Sequence, residues 1–430
     1  MRVIELFKEI TKIPRCSGTY EPFIKYLKEF AQRNGYVCEV DGIKNILCYK
    51  KNKQREICLQ SHYDIVCLED GKVPEVLEKE GYLVAKDSTL GADNGIGCAY
   101  MLALMEEGVE AEYLFTSDEE IGLIGANNIE FDLEARKMLN LDSEMEGEIC
   151  IGCAGGIDIF ALTSKGEYLK NNENKSLYEL TIDDLVGGHS GVDIDKNIPN
   201  AIKLLVKSIK ECDAELLDLE GGERINSIPK SARAIILSHM EPQITHPNMK
   251  IHKVEQETQH YKRLDKGIID FIYIFADGVR GYDKELDVVL NSINLAKVEN
   301  TIEGVKISIS ARSMDKSALE SLTKETVMLL DMFDFEISTA GKYPPWKPQK
   351  NSFITEVHQC YQTIIPEVTI NAIHAGLECA IFKDRYPNIE VCSIGPNIFF
   401  PHSHREKCEI SSVMKIFEVV KKVVKNQEGF

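Results

Sequence analysis

Several things are missing from this chain, and each absence excludes a class of function. No stretch approaches the ~18 consecutive apolar residues of a membrane span. Basic charge is short: 50 Lys and Arg stand against 69 Asp and Glu, a formal charge of −19. Nucleic acid and anionic membranes both select basic patches, so neither is expected as a partner. GxxxxGK[ST] does not occur, and Gly91-x-x-x-Gly95-x-Gly97 lacks the GxGxxG order, which sets nucleotide binding aside. The thirteen cysteines have no paired spacing. Cys16, Cys38, Cys48, Cys58, Cys67 and Cys98 are scattered singly, which predicts thiols in a reducing compartment rather than a disulfide framework. The one CxxC, Cys150 to Cys153, has no second half and lies in an apolar run, so it reads as strand rather than as zinc or redox ligands. Glu5, Lys8, Glu9 and Lys12 interrupt any apolar region in residues 1–13, so no signal peptide is expected and the predicted location is cytoplasmic.

What is present describes a soluble globular protein of more than one domain, because 430 residues exceed the ~250–300 at which single cores stop growing. Two amphipathic helices are predicted in residues 1–35 and another at 94–107, where Ile96, Ala99, Met101, Leu102 and Met105 recur at helical spacing. Short apolar runs at 46–49, 57–60, 112–115 and 138–141 read as strands. Their alternation with helices predicts an α/β fold with a mixed, mostly parallel sheet flanked by helices. From about residue 160 the texture changes. Residues 164–176 read as a polar connection, 178–183, 232–237, 268–274 and 305–311 as strands, and 201–209 and 316–333 as helices. Residues 339–350, with Pro344, Pro345 and Pro348, read as a return linker, followed by a helix at 353–364, a strand at 389–394 and a closing helix from 412. The organisation expected is a discontinuous catalytic domain, 1–160 and 342–430, interrupted by an α+β domain at 161–341.

One regularity points to chemistry. His62, Asp93, Glu119, Glu120 and Asp142 all fall just past an apolar run, and α/β sheets bind ligands at the carboxyl ends of their strands. Singly, each has an ordinary reading: Asp93 in Thr89-Leu90-Gly91-Ala92-Asp93-Asn94-Gly95-Ile96-Gly97 could cap the helix behind it, and Glu119-Glu120 could be a solvated helix start. With His402, four of them (His62, Asp93, Glu120 and Asp142) form a two-histidine, three-carboxylate set suited to two metal ions sharing one carboxylate, with Glu119 as general base and Asp64 orienting His62.

These residues resemble a known family. His62-x-Asp64, the nine-residue glycine loop, Glu119-Glu120-x-Gly122 and Asp142-Ser143-Glu144 are similar to motifs of the dinuclear zinc metallopeptidases related to carboxypeptidase G and aminoacylase. Gly187-Gly188-His189-Ser190-Gly191, Asn226-Ser227-Ile228-Pro229, Ile373-His374-Ala375-Gly376-Leu377-Glu378-Cys379 and Phe400-Pro401-His402-Ser403 resemble the aminoacyl-histidine dipeptidase (peptidase D) branch. The resemblance implies that Asp93 bridges two zinc ions, with cobalt or manganese as substitutes. His62 and Asp142 would complete one site, and Glu120 and His402 the other. It further implies that residues 161–341 form a lid, through which a homodimer is expected. His189 would steady the oxyanion, and Asn226, Arg312 and Gly376 would lie near a small peptide substrate. His404 stands where the branch usually has proline and rivals His402 as ligand. The expected activity is hydrolysis of an unblocked dipeptide, aminoacyl-histidine among them. The alternatives are an aminoacylase acting on N-acyl amino acids and a catalytically silent ligand-binding relative.

Overall fold

A computed structural model describes residues 2–68, 73–169, 175–212, 214–255, 261–301 and 303–428. The chain divides into two compact units. The first comprises Met1–Cys153, Trp346–Ala372 and Leu377–Phe430; the second comprises Ala154–Pro345 and Ile373–Gly376.

The first unit is built on an eight-stranded mixed sheet. Its order is Val37–Val40, Ile46–Tyr49, Glu112–Thr116, Ile57–His62, Lys137–Asn140, Glu390–Ser393, Glu148–Cys153 and Thr369–Ile373. The four central strands, from Glu112–Thr116 to Glu390–Ser393, run parallel, and pairings towards the flanks are antiparallel. The central strands are buried along their length, as a sheet covered by helices on both faces requires. Helices Arg2–Ile10, Ala92–Glu106, Ser352–Gln362 and Ile410–Glu428 supply that cover, with Phe7, Met101, Val357 and Val420 among the side chains of one continuous core. A smaller sheet pairs Lys407–Glu409 with Tyr82–Lys86 and sets the chain just before it against residues 87–93.

The second unit is an antiparallel sheet in all its described pairings, with helices Ala201–Glu211, Lys266–Ile274 and Lys316–Asp331. Asn200, Asp265 and Asp315 cap these helices, each carboxylate or amide oxygen accepting a first-turn N–H.

The structure corrects four expectations. Residues 268–274 are helical: Asp265 caps the segment, and Ile268, Ile269, Phe271 and Ile272 lie on one buried face, so the apolar run follows a helical period. The segment read as a polar connection at 164–176 carries strand structure as far as Tyr168 and again from Ser176, while 170–174 lie outside the described residues. Residues 339–343 continue the strand Glu336–Tyr343, so the linker begins at Pro344. Cys16 and Cys67 are joined as a disulfide, brought together by a parallel bridge between Cys16 and Ile65. The other eleven cysteines are free thiols, most of them buried. Among the described residues no helix is long and apolar enough to cross a membrane.

Candidate metal centre

Three neighbouring parallel strands end at the same edge of the first unit's sheet and deliver most of the expected donors. Ile57–His62 ends in His62, Glu112–Thr116 leads to Glu119 and Glu120, and Lys137–Asn140 leads to Asp142. Asp93 enters from the glycine loop. It does not cap the helix behind it; Gly91 occupies the cap position at φ +67°, a left-handed conformation that suits glycine. Gly95 is needed for a different reason, since a Cβ there would collide with the Arg15 guanidinium.

The Asp93 carboxylate stands between two imidazoles. Its Oδ1 lies 3.1 Å from His62 Nε2 and its Oδ2 lies 3.0 Å from His402 Nε2. Asp142 Oδ1 is 3.3 Å from His62 Nε2, and Glu120 Oε2 is 2.9 Å from His402 Nε2. Glu119 Oε2 stays 4.0 Å from His62. Donor atoms within 4.8 Å of one another fall into three overlapping groups: His62, Asp93 and Asp142; Asp93, Glu120 and His402; and His62, Glu119 and Glu120. His404, the rival ligand, belongs to none of them.

Asp64 does more than orient His62. The His62 Nδ1 hydrogen bonds to the Asp64 carbonyl at 3.1 Å and lies 3.5 Å from its carboxylate. That carboxylate also accepts the backbone N–H of Glu119 at 3.1 Å and of Glu120 at 3.3 Å, and the Ser17 hydroxyl at 2.7 Å. One side chain therefore ties the histidine to the two glutamates.

Burial opposes charge on every member of the cluster. It pushes the Glu119, Glu120 and Asp142 carboxyls up, helped by the neighbouring carboxylates. Asp93 goes the other way, because hydrogen bonds to His402 and His62 outweigh its burial. Asp142, Asp64 and Asp93 likewise overcome the burial of His62 and raise it, and Asp93 and Glu120 push His402 up to about 11. Four carboxyl groups face two imidazoles, so the site would carry surplus negative charge once a cation offsets the burial of its acids. Glu120 Oε1 is buried without a hydrogen-bond partner. A cluster of nitrogen and oxygen donors with surplus negative charge and an unpartnered oxygen suits divalent cations.

Two residues that the sequence did not flag hold this site together. Glu406 accepts the Thr89 hydroxyl and the backbone N–H groups of Leu90, Gly91, Ala92 and Asp93, at 2.8, 3.1, 2.8 and 3.4 Å for the four amides. Arg15, fully buried, donates to the carbonyls of Tyr63 and Gly91 at 3.0 and 2.8 Å. Both lie outside recognisable motifs. Their partners are main-chain groups, which leave no mark on residue identity.

The other expected site residues belong to the second unit. Arg312 is buried on Gly304–Ser313 and donates from Nη1 to the Tyr343 hydroxyl at 2.8 Å. His189 Nδ1 accepts the backbone N–H of Gly191 and Val192 at 3.2 and 3.3 Å, so the ring proton resides on Nε2. Burial and Arg312 lower its pKa and keep it neutral. Asn226 is exposed, and its carbonyl accepts Ser190 N–H at 2.8 Å. Gly376 lies against the Tyr343 ring.

Comparison with known proteins bears on this geometry. The sequence profile of peptidase family M20/M25/M40 matches residues 58–426. The cytosol non-specific dipeptidase of Escherichia coli (strain K12) is 31% identical over 468 residues, covering 98% of this chain and 96% of the relative. The crystal structure of aminoacylhistidine dipeptidase from Vibrio alginolyticus superposes with a TM-score of 0.84 at 27% identity, over 99% of this chain and 96% of that one. An aminopeptidase from Bacillus cereus, 16% identical with a TM-score of 0.60 over 99% of this chain and 97% of that one, shares the fold.

Proposed function

The chain belongs to peptidase family M20/M25/M40, and on that premise we propose that it is a dipeptidase whose first unit carries out the chemistry with two zinc ions. The observation that carries this reading is Asp93, one carboxylate with a histidine at each oxygen. His62 and Asp142 would hold one ion and Glu120 and His402 the other, with Asp93 contributing to both. When bound, such ions acidify a water and polarise the scissile carbonyl. Cobalt or manganese fits the same donors.

The chain's own residues do the rest. Glu119, near the donor set but 4.0 Å from His62, takes the proton of the attacking water and returns it to the leaving amine. Asp64 holds His62 and the Glu119 backbone in one frame. His189, neutral with its proton on Nε2, donates to the developing oxyanion, a preorganised donor where charge forms. Arg312 pairs with the free carboxylate of the peptide. The substrate is an unblocked dipeptide, aminoacyl-histidine included, and the location is the cytoplasm. The second unit acts as the lid. The aminoacylase reading is not favoured, since the two relatives described above at 27% and 31% identity are dipeptidases by name.

Glu119→Gln tests the assignment. It keeps the size of the side chain, so metal content should match the wild type while kcat on a dipeptide falls by about 10²–10⁴. Full activity in that variant would remove Glu119 as the base.

A further inference from the structure

The surroundings of Arg312 are more specific than a cation awaiting an anion. Arg312 lies on Gly304–Ser313, opposite Gly156 on the next strand, and Gly156 in turn faces Tyr343 on the strand beyond. The Tyr343 ring crosses over the middle strand to reach the guanidinium. Two glycines make that crossing possible. A Cβ on Gly156 would stand 2.6 Å from the Tyr343 hydroxyl oxygen, and one on Gly376 would stand 3.0 Å from its ring. Gly376 thereby has a role in the second unit that its motif did not reveal: it leaves room for this phenol.

A guanidinium offers a carboxylate two bidentate edges, Nη1 with Nη2 and Nε with Nη2. Because a guanidinium has only donors, the phenolic oxygen must be the acceptor in the Arg312–Tyr343 contact. That contact engages one of the two N–H groups of Nη1 and fixes the plane of the guanidinium. The second edge includes Nε, which is buried and has no hydrogen-bond partner. Among the described residues no carboxylate forms an ion pair with Arg312, which is only 8% exposed. A buried cation held by a neutral phenol, with Nε unsatisfied, is aimed.

We propose that Tyr343 is a positioning residue for carboxylate recognition, fixing Arg312 so that its Nε and Nη2 edge meets the C-terminal carboxylate of the dipeptide. This rests on the reading of Arg312 given above. The phenol does not touch the substrate; it acts by fixing the rotamer of Arg312 and so the direction of its Nε and Nη2 edge. Gly156 is its support.

The experiment uses the metal-loaded full chain, a dipeptide as substrate and the matching dipeptide amide as competing inhibitor. Tyr343→Phe, which keeps the ring, should raise KM for the free acid about tenfold, the scale of one hydrogen bond to a charged group. The kcat should stay within about twofold and the inhibition constant of the amide should not move. Gly156→Ala, which displaces the phenol without altering it, should reproduce that pattern. Arg312→Ala separates the two layers of argument. If it raises KM for the acid while Tyr343→Phe does not, Tyr343 has no positioning role and Arg312 keeps its own. If Arg312→Ala leaves KM for the acid unchanged, Arg312 does not bind the carboxylate and the role of Tyr343 falls with it. Equal losses for acid and amide in Tyr343→Phe would mean a general packing role and overturn the proposal.

Discussion

The same side chain is shifted in opposite directions in the two units. In the first, the surrounding carboxylates push both imidazoles up, Asp142 and Asp64 for His62, Asp93 and Glu120 for His402. In the second, burial and Arg312 drive His189 and His374 the other way, His374 down to about 3. The difference lies in the company each histidine keeps. An imidazole among carboxylates stands where a metal ion would neutralise the group; an imidazole beside a guanidinium stays neutral and can donate one directed hydrogen bond. One region gathers donors suited to cations, the other a guanidinium and neutral imidazoles suited to an anion.

The most forceful way to break this contrast is Asp93→Ala. It removes the carboxylate that both first-unit histidines contact, so zinc affinity should fall by more than about a hundredfold. Equilibrium dialysis decides it; unchanged affinity would mean that Asp93 is not the shared ligand.

Glu406→Gln tests how the first unit tolerates so much acid near one loop. Glu406 is buried, and although burial pushes its carboxyl up, the hydroxyl of Thr89 and the backbone N–H groups at 90–93 favour the ionised form. Replacing a charged acceptor by an amide should cost about 2–3 kcal/mol of stability, seen as a lower Tm. A Tm equal to that of the wild type would show that the loop holds itself.

The smallest effect sharpens the other side. His374, hydrogen bonded to Ser292 Oγ at 2.7 Å, has a native pKa of about 3 against an ordinary value near 6.5. A depressed pKa stabilises the native state fully above ~6.5 and progressively less as pH falls towards 3. At pH 5 the unfolded chain binds this proton and the native chain does not, a loss of about 2 kcal/mol relative to pH 7. His374→Gln should reduce the pH dependence of the urea midpoint by that amount. An identical pH profile in the variant would count against the neutral, buried imidazole.

Much of this was legible in the sequence, for a definite reason. The strands Ile57–His62, Glu112–Thr116 and Lys137–Asn140 are apolar runs, and a buried parallel strand must be one. Donors placed just after such runs converge because parallel strands end at one edge, so His62, Glu119, Glu120 and Asp142 could be grouped before any coordinates existed. What stayed hidden depended on other physics. Glu75–Lys79 is largely exposed and charged, so the small sheet that brings residues 402–406 to the glycine loop had no apolar signature. Glu406, Arg15 and Tyr343 act through main-chain amides, carbonyls or a partner two strands away. Residue type alone does not announce such contacts. The helix Lys266–Ile274 was hidden by being apolar on most sides, where strand and helix periods look alike.

The Glu406 contact also has a consequence in time. Its partners in the glycine loop lie 313 to 317 residues earlier in the chain. At a synthesis rate of about 5–20 residues per second, roughly 15–60 s separate the emergence of the loop from that of the carboxylate that fastens it. His402 arrives only four residues before Glu406. A nascent chain therefore carries His62, Asp93, Glu120 and Asp142 without the last donor or the anchor of their loop. The donor set is complete only once His402 has been made, 260 residues after Asp142.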